Sequence, residues 1–460
     1  MKRSIAAVLV VVALLGWATP ALATSRTSQA WQLRSQAMKE QNSSLRYLQT
    51  TWFKSMGYRY ATVPVDSIVE ASASVGATGT MELLNPPRGF STSSLDQPRV
   101  TAQTISLASV SGQGPAGTTR MQASASYATA LALTNNTFDA HRVGISRADA
   151  LRRTVAWTNA LALSHARGVW GENWQSPLWT YYLGAGSLKV WGSLSPITRE
   201  LVTKAVAAEA NRLLNIPPPY YRDATGTIVS PGDSKSEENA WNASLLYLAA
   251  RMYSSSDTTQ AAKWEAQARW YALTAYATPY QVGQDPRIKG SNLNSDGTVV
   301  NHGIIHPDYM ATAGEMQIKY ILVSGWSRSI EATECLNRFT TVWNGLTRVK
   351  FKVGKYKKPG GTIYRVGSHG ISTPNIYYPQ GTDWSKVRRH NMALMDVAQF
   401  VAGNGAGFSW GKAHIKAVIA QQARHKDGRV FSAGETRFAE DEQFAAACAA
   451  EMVESLRMVH

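Results

Sequence analysis

From Ser146 onward, apolar residues recur at three- and four-residue spacing in ten successive stretches of about twenty residues each. They run roughly 146–167, 175–192, 195–215, 234–254, 258–277, 308–325, 329–347, 384–403, 408–426 and 435–458. Ser146 stands as an N-cap before Ala148-Asp149-Ala150-Leu151. Pro217-Pro218-Pro219 and Ser230-Pro231-Gly232-Asp233 are breaks between helices. An amphipathic helix can bury its stripe only against a neighbour, and helices of similar length joined by short breaks pair antiparallel. The pattern predicts a mainly α fold over 145–460, an incomplete α/α toroid of antiparallel helical hairpins, with a plain bundle or solenoid as the alternative. Only Val349 to Val353 and Thr362 to Val366 alternate like strands, predicting a small β-hairpin near 349–367 around Pro359-Gly360-Gly361.

The preceding part differs. Lys2 and Arg3, the apolar run Ala6 to Leu15 and Ala21-Leu22-Ala23 read as a signal peptide over 1–23, cleaved near Ala23. That run is too short to span a bilayer, and no later segment offers about twenty uninterrupted apolar residues. The expectation is a secreted or periplasmic protein without membrane insertion. Residues 24–144 divide into a helix over about 25–50, with Trp31, Leu33, Leu45 and Leu48 as apolar positions, and a Ser/Ala/Thr/Gly-rich irregular segment over 63–136. Cys335 and Cys448 permit one disulfide and require none.

The net charge is +16, which favours polyanions. No Lys/Arg block is concentrated enough to read as a nucleic-acid arm. Fifteen Trp and nineteen Tyr supply flat amphipathic rings suited to sugar faces, so charge and aromatics together indicate an acidic glycan partner and no nucleic acid.

Three segments carry chemistry. Ser295-Asp296-Gly297-Thr298-Val299-Val300-Asn301-His302-Gly303-Ile304-Ile305-His306-Pro307-Asp308-Tyr309-Met310 gathers proton-transfer groups in a turn-rich stretch before a helix. In Asp233-Ser234-Lys235-Ser236-Glu237-Glu238-Asn239-Ala240-Trp241-Asn242, Ser234 and Glu237 have capping-box spacing. Asn239 and Asn242 share a helix face in that segment. Gly171-Glu172-Asn173-Trp174 opens an aromatic-rich helix and places Asn173 and Trp174 at a cleft edge. Further on, Tyr378 and Arg388 are candidate sugar and uronate contacts.

These residue types suit β-elimination at a uronic acid. The proton beside the carboxylate becomes acidic only when amide, imidazole or cationic groups neutralise that carboxylate and stabilise the enolate-like charge. A His or Tyr then removes the proton, and a Tyr can protonate the departing oxygen. Asn239, Asn301, His302, His306 and Tyr309 supply these types without a metal. His302 and His306 have zinc-like i, i+4 spacing, but Gly303 and Pro307 break the helix such a pair needs. No metal or cofactor is expected.

The order of the three segments resembles the α/α-toroid domain of chondroitin AC and hyaluronate lyases, and more loosely alginate lyases and heparinases, over about residues 165–325. Those lyases carry an Asn-Trp patch, an Asn at a helix start, and Asp-Gly leading to a His with a Tyr shortly after. Here the matching residues are Asn173-Trp174, Asn239 (or Asn242), and Asp296-Gly297 before His302 and Tyr309. The resemblance implies an exported polysaccharide lyase in which Asn239 and His302 neutralise the carboxylate and Tyr309 is base, acid or both. The His-to-Tyr spacing is shorter than in the hyaluronate group, and no catalytic Arg is matched. The rivals are an inverting glycoside hydrolase using a pair from Glu237, Glu238, Asp296 and Asp308, and a non-catalytic glycan-binding envelope protein.

Overall fold

The computed structural model describes residues 26–55, 114–166, 168, 174–324, 330–384, 388–436 and 440–459. The signal-peptide assignment lies outside them, as do Asn173 and most of the segment expected to be irregular. The described chain is mainly helical, with small antiparallel strand pairs. Helix α1 spans 26–46 and continues through a π-helical turn, Tyr47–Trp52, into Phe53–Ser55. There follow α2 (Gly114–Thr134), the single turn α3 (Ala140–Val143), α4 (Arg147–Ala166), α5 (Ser176–Lys189), α6 (Pro196–Leu214), α7 (Ser236–Tyr253) and α8 (Thr258–Ala275). The remainder are α9 (Pro307–Ser324), α10 (Ile330–Thr347), α11 (Arg389–Val401), α12 (Ala406–Gln422) and α13 (Asp441–Leu456).

Each of the ten expected helices forms, with ends shifted by a few residues. Ser146 caps α4, its hydroxyl accepting the Asp149 N–H at 3.0 Å. Helix α2 corrects the expectation of irregular chain over 63–136. Its Ala, Ser and Thr content gives no apolar stripe because from Thr119 onward it is buried on nearly all sides. It packs on α4, α5 and α13, where small side chains let backbones approach closely.

Helices α5, α7, α9, α11 and α13 are similarly enclosed. Successive members touch, and α13 in turn packs on α2. Helices α6, α8 and α12 cover them from outside, one apolar face inward, and α4, packed on α2 and α6, is buried from Thr154 to Ser164. Ser244 Oγ donates to Met316 O at 3.3 Å and Arg251 to Val323 O at 2.9 Å. Both contacts advance by equal steps along α7 and α9, so these helices run parallel with their N-termini at one end. Asn391, in the first turn of α11, reaches Thr312 of α9 at 3.5 Å and brings a third N-terminus there.

The strands are short. Strand β1 (Arg222–Asp223) pairs with β2 (Gly290–Ser291), β3 (Val300–Asn301) with β4 (Ile304–Ile305), and β5 (Tyr364–Val366) with β6 (Ser372–Ile376), all antiparallel. The hairpin expected near 349–367 is corrected. Its first half makes isolated bridges, Phe351↔Gly361 and Val353↔Tyr356, while Tyr364–Val366 pairs forward with Ser372–Ile376. Among the described residues no helix is long and apolar enough to cross a membrane. Cys448 is a free, buried thiol.

Candidate functional site

The parallel N-termini of α7 and α9 are joined by a tight hairpin that positions the first catalytic candidate. Val300 pairs with Ile305 and Asn301 with Ile304, leaving the two-residue loop His302-Gly303. Both loop residues have positive φ, 51° and 78°, the twist that a two-residue hairpin demands. Glycine meets this freely; a histidine there is held in a sparsely populated conformation, a common feature of functional sites. The hairpin rests on the turn before α7. Gly303 N–H donates to Gly232 O at 2.9 Å, and a Cβ at Gly232 would lie 3.1 Å from Gly303 N.

His306 ends the hairpin and precedes Pro307, the first residue of α9. Its Nδ1 accepts the Tyr309 backbone N–H at 3.4 Å, one of the donors left open at a helix start. Since Nδ1 is an acceptor, the neutral ring carries its proton on Nε2, which donates to Asp383 Oδ1 at 2.8 Å. Burial holds the His306 pKa down, to about 4. His302, exposed on the turn, places Nδ1 2.5 Å from Asp383 Oδ2 and Nε2 3.4 Å from the Tyr309 hydroxyl. Asp383 thus binds both imidazoles. Despite the opposing effect of burial, hydrogen bonds from His306 and His302 keep its carboxyl below the usual range. The Tyr309 phenol is pushed well up by burial and then by Glu237 and Asp233, so it is a neutral donor at ordinary pH.

Aromatic packing fixes this group. The Tyr309 ring lies 5.0 Å from His306, 5.2 Å from His302 and 4.7 Å from Trp384. Arg388 covers the other part of Trp384 at 3.8 Å and pairs with Asp441 at 2.5 Å. Arg388 is therefore a buried wall residue rather than an exposed uronate contact. Tyr378 also braces, its hydroxyl donating to Asp308 Oδ1 at 2.9 Å. Burial raises Asp308 to about 6.

A second polar group adjoins the first through Asn301. Its Nδ2 donates to Asp233 at 3.1 Å and Glu237 at 3.3 Å. Lys235 bridges Asp233 at 2.5 Å and Glu238 at 3.1 Å. Burial raises the Glu237 carboxyl well above its ordinary value. The expected Ser234–Glu237 capping box does not form. Ser234 Oγ instead donates to Asn292 O at 2.9 Å, and Glu237 turns to Asn301.

Asn239 is fully buried and donates to Pro219 O at 2.9 Å, so its amide supports a loop instead of facing a cleft. Asn242, one turn on, is half-buried. Trp174 is 52% exposed and leans on Trp241 with centroids 5.6 Å apart. The structure therefore gathers Asn301, His302, His306 and Tyr309, with Tyr378 and Arg388 behind them. Sequence reasoning missed Asp383, the residue just before the helix expected over 384–403; that helix starts at Arg389. The available signal was charge: Asp383 is the first carboxylate after Glu334.

Two clusters have metal-like composition. His302, His306 and Asp383 place ligand atoms within 4.8 Å of one another, as do Asp233, Glu237 and Glu238. The first fits a metal poorly, because His306 presents an N–H rather than a lone pair towards Asp383. The second already contains a cation, the Lys235 ammonium.

No protein-family model, curated protein or solved structure matches the chain.

Proposed function

We propose that the protein is an exported α/α-toroid lyase that cleaves a uronate-containing polysaccharide by β-elimination. The observation that carries this reading is the chain Asp383–His302–Tyr309, a base and an acid in contact at a solvent-facing turn. Asp383 orients His302 so that Nε2 carries the lone pair, as in other carboxylate-supported histidine bases. Nε2 takes the proton from the carbon beside the uronate carboxylate. The released electron pair forms the carbon–carbon double bond, the glycosidic bond breaks, and Tyr309 protonates the departing oxygen. Proton return from imidazolium to tyrosinate across 3.4 Å restores the pair. Of the two roles open to Tyr309, its raised pKa favours the acid.

The N-termini of α7, α9 and α11 contribute positive dipole ends where enolate-like charge develops. Contacts running from α2 through α5, α7, α9 and α11 to α13, and back to α2, support the toroid.

One observation favours the hydrolase rival. Burial raises the Glu237 carboxyl while hydrogen bonds from His306 and His302 lower that of Asp383, both beside Tyr309, the direction of split that paired carboxylate catalysis uses. Variants separate the two. Elimination, read as the ultraviolet absorbance of an unsaturated uronate on a panel of uronate polymers, is expected to vanish in His302→Ala and Tyr309→Phe and persist in Glu237→Gln. Loss confined to Glu237→Gln, with reducing ends but no absorbance in the parent, would transfer the assignment to hydrolysis.

A further inference from the structure

Between Glu334 and Asp383 the chain has no carboxylate and eight Lys/Arg, half the net charge of +16. Six of the eight fall in one short loop: Arg348, Lys350, Lys352, Lys355, Lys357 and Lys358. All six are exposed, and none makes an ion pair among the described residues. The loop is built rather than loose. Phe351 exchanges backbone hydrogen bonds with Gly361 at 3.0 and 2.9 Å, and its buried ring packs on Tyr356 and Tyr377 at 5.0 and 6.3 Å. Lys350 and Lys352 flank that ring and therefore point away from the core. Alternate residues of an extended segment lie about 7 Å apart, so these cations address successive charges of a polymer rather than one small ion.

The loop is also fastened to the segment that carries Asp383. Lys357 N–H donates to Pro379 O at 2.6 Å, the Tyr377 hydroxyl donates to Lys357 O, and a side chain at Gly381 would meet Lys357 Nζ at 2.7 Å. Next along that segment, Gln380 accepts the Ile305 N–H at 2.7 Å on the His302 hairpin. A row of unpaired cations thus ends two residues from the group that orients the base.

We infer that the 348–358 loop is a row of subsites that holds an anionic polysaccharide chain as it enters the His302–Tyr309 site. This rests on the lyase reading for the identity of the site, though binding itself does not require turnover. The charge pattern favours a glycan over a nucleic acid. At the His302 end of the row stands the Asp383 carboxylate, which repels a strand that carries a phosphate at every residue. A glycan with alternating charged and neutral sugars can put its neutral units there.

The test uses end-labelled hyaluronate, polygalacturonate and alginate, titrated in anisotropy against the His302→Ala protein so that no turnover intervenes. The Lys352→Ala/Lys355→Ala/Lys357→Ala version should bind its preferred polymer about tenfold more weakly, with a flatter salt dependence. A control losing three exposed helix-face lysines, Lys39→Ala/Lys263→Ala/Lys416→Ala, should bind as before, and thermal unfolding of both should match the parent. Equal weakening in the two triples would mean net charge alone acts and would overturn the inference. So would unchanged affinity in the loop triple, or single-stranded DNA or anionic vesicles binding the parent more tightly than every glycan. Loop-dependent polymer binding without any unsaturated product would sink the lyase reading and leave the subsites standing. Elimination with an unaltered KM in the loop triple would do the reverse.

Discussion

Asp383 is the residue on which the site's proton positions depend, since one oxygen fixes each imidazole. Asp383→Asn keeps the shape but offers His302 an uncharged partner with the wrong donor on one side. Turnover is expected to fall on the order of a thousandfold with little change in KM, read from initial rates on the preferred polymer. His306 gives a prediction in stability. Its unfolded pKa of 6.5 falls to about 4 in the fold, chiefly through burial. The folded protein therefore binds fewer protons between these values, and stability is lost as pH drops from 6.5 towards 4. The loss from this group amounts to roughly 3 kcal/mol. Denaturant unfolding at a series of pH values should show that extra acid loss in the parent and not in His306→Gln, whose amide can still donate to Asp383; parallel curves would refute the assignment.

At the scale of elements, the β3–β4 hairpin sets the reach of His302, and the turn before α7 sets the hairpin. Gly232 has a φ of 73°, and an added Cβ would press on Gly303. Gly232→Ala is expected to cost about 1–2 kcal/mol in unfolding free energy. It should lower turnover by more than that loss explains, because the histidine moves with the turn; unaltered turnover in a folded variant would contradict this. These elements also show what the sequence made legible. Helical spacing disclosed the helices, and the clustering of His302, His306 and Tyr309 disclosed half of the site, since those residues are neighbours in sequence. Asp383 stood out only as the first carboxylate after Glu334, and its place beside His306 was not legible, because it arrives from 77 residues further on through packing of the 377–383 segment. Helix α2 was hidden for a different reason: burial on all sides removes the periodicity by which a surface helix is recognised. Asn239 misled because a helix-start Asn looks alike whether it faces a cleft or, as here, a loop carbonyl.

At the scale of the molecule, α9, α11 and α13 meet at a fully buried ammonium. Lys319 Nζ bonds Glu315 at 2.8 Å and Glu451 at 3.1 Å, and Asn391 donates to Glu315 as well. Removing the lysine leaves two carboxylates facing each other without a cation. Lys319→Met should therefore cost about 3–5 kcal/mol, and adding Glu315→Gln with Glu451→Gln should recover much of it in equilibrium unfolding. This anchor ties α9 and α11, whose N-termini carry the candidate site, to α13 in the core. If cleavage proceeds by elimination, one reaction yields two products that can be counted together. On the polymer that the parent protein cleaves, each new reducing end should appear with one unsaturated uronate, measured by reducing-end assay and ultraviolet absorbance on the same samples. Reducing ends without unsaturation would contradict the assignment of His302 as base and Tyr309 as acid.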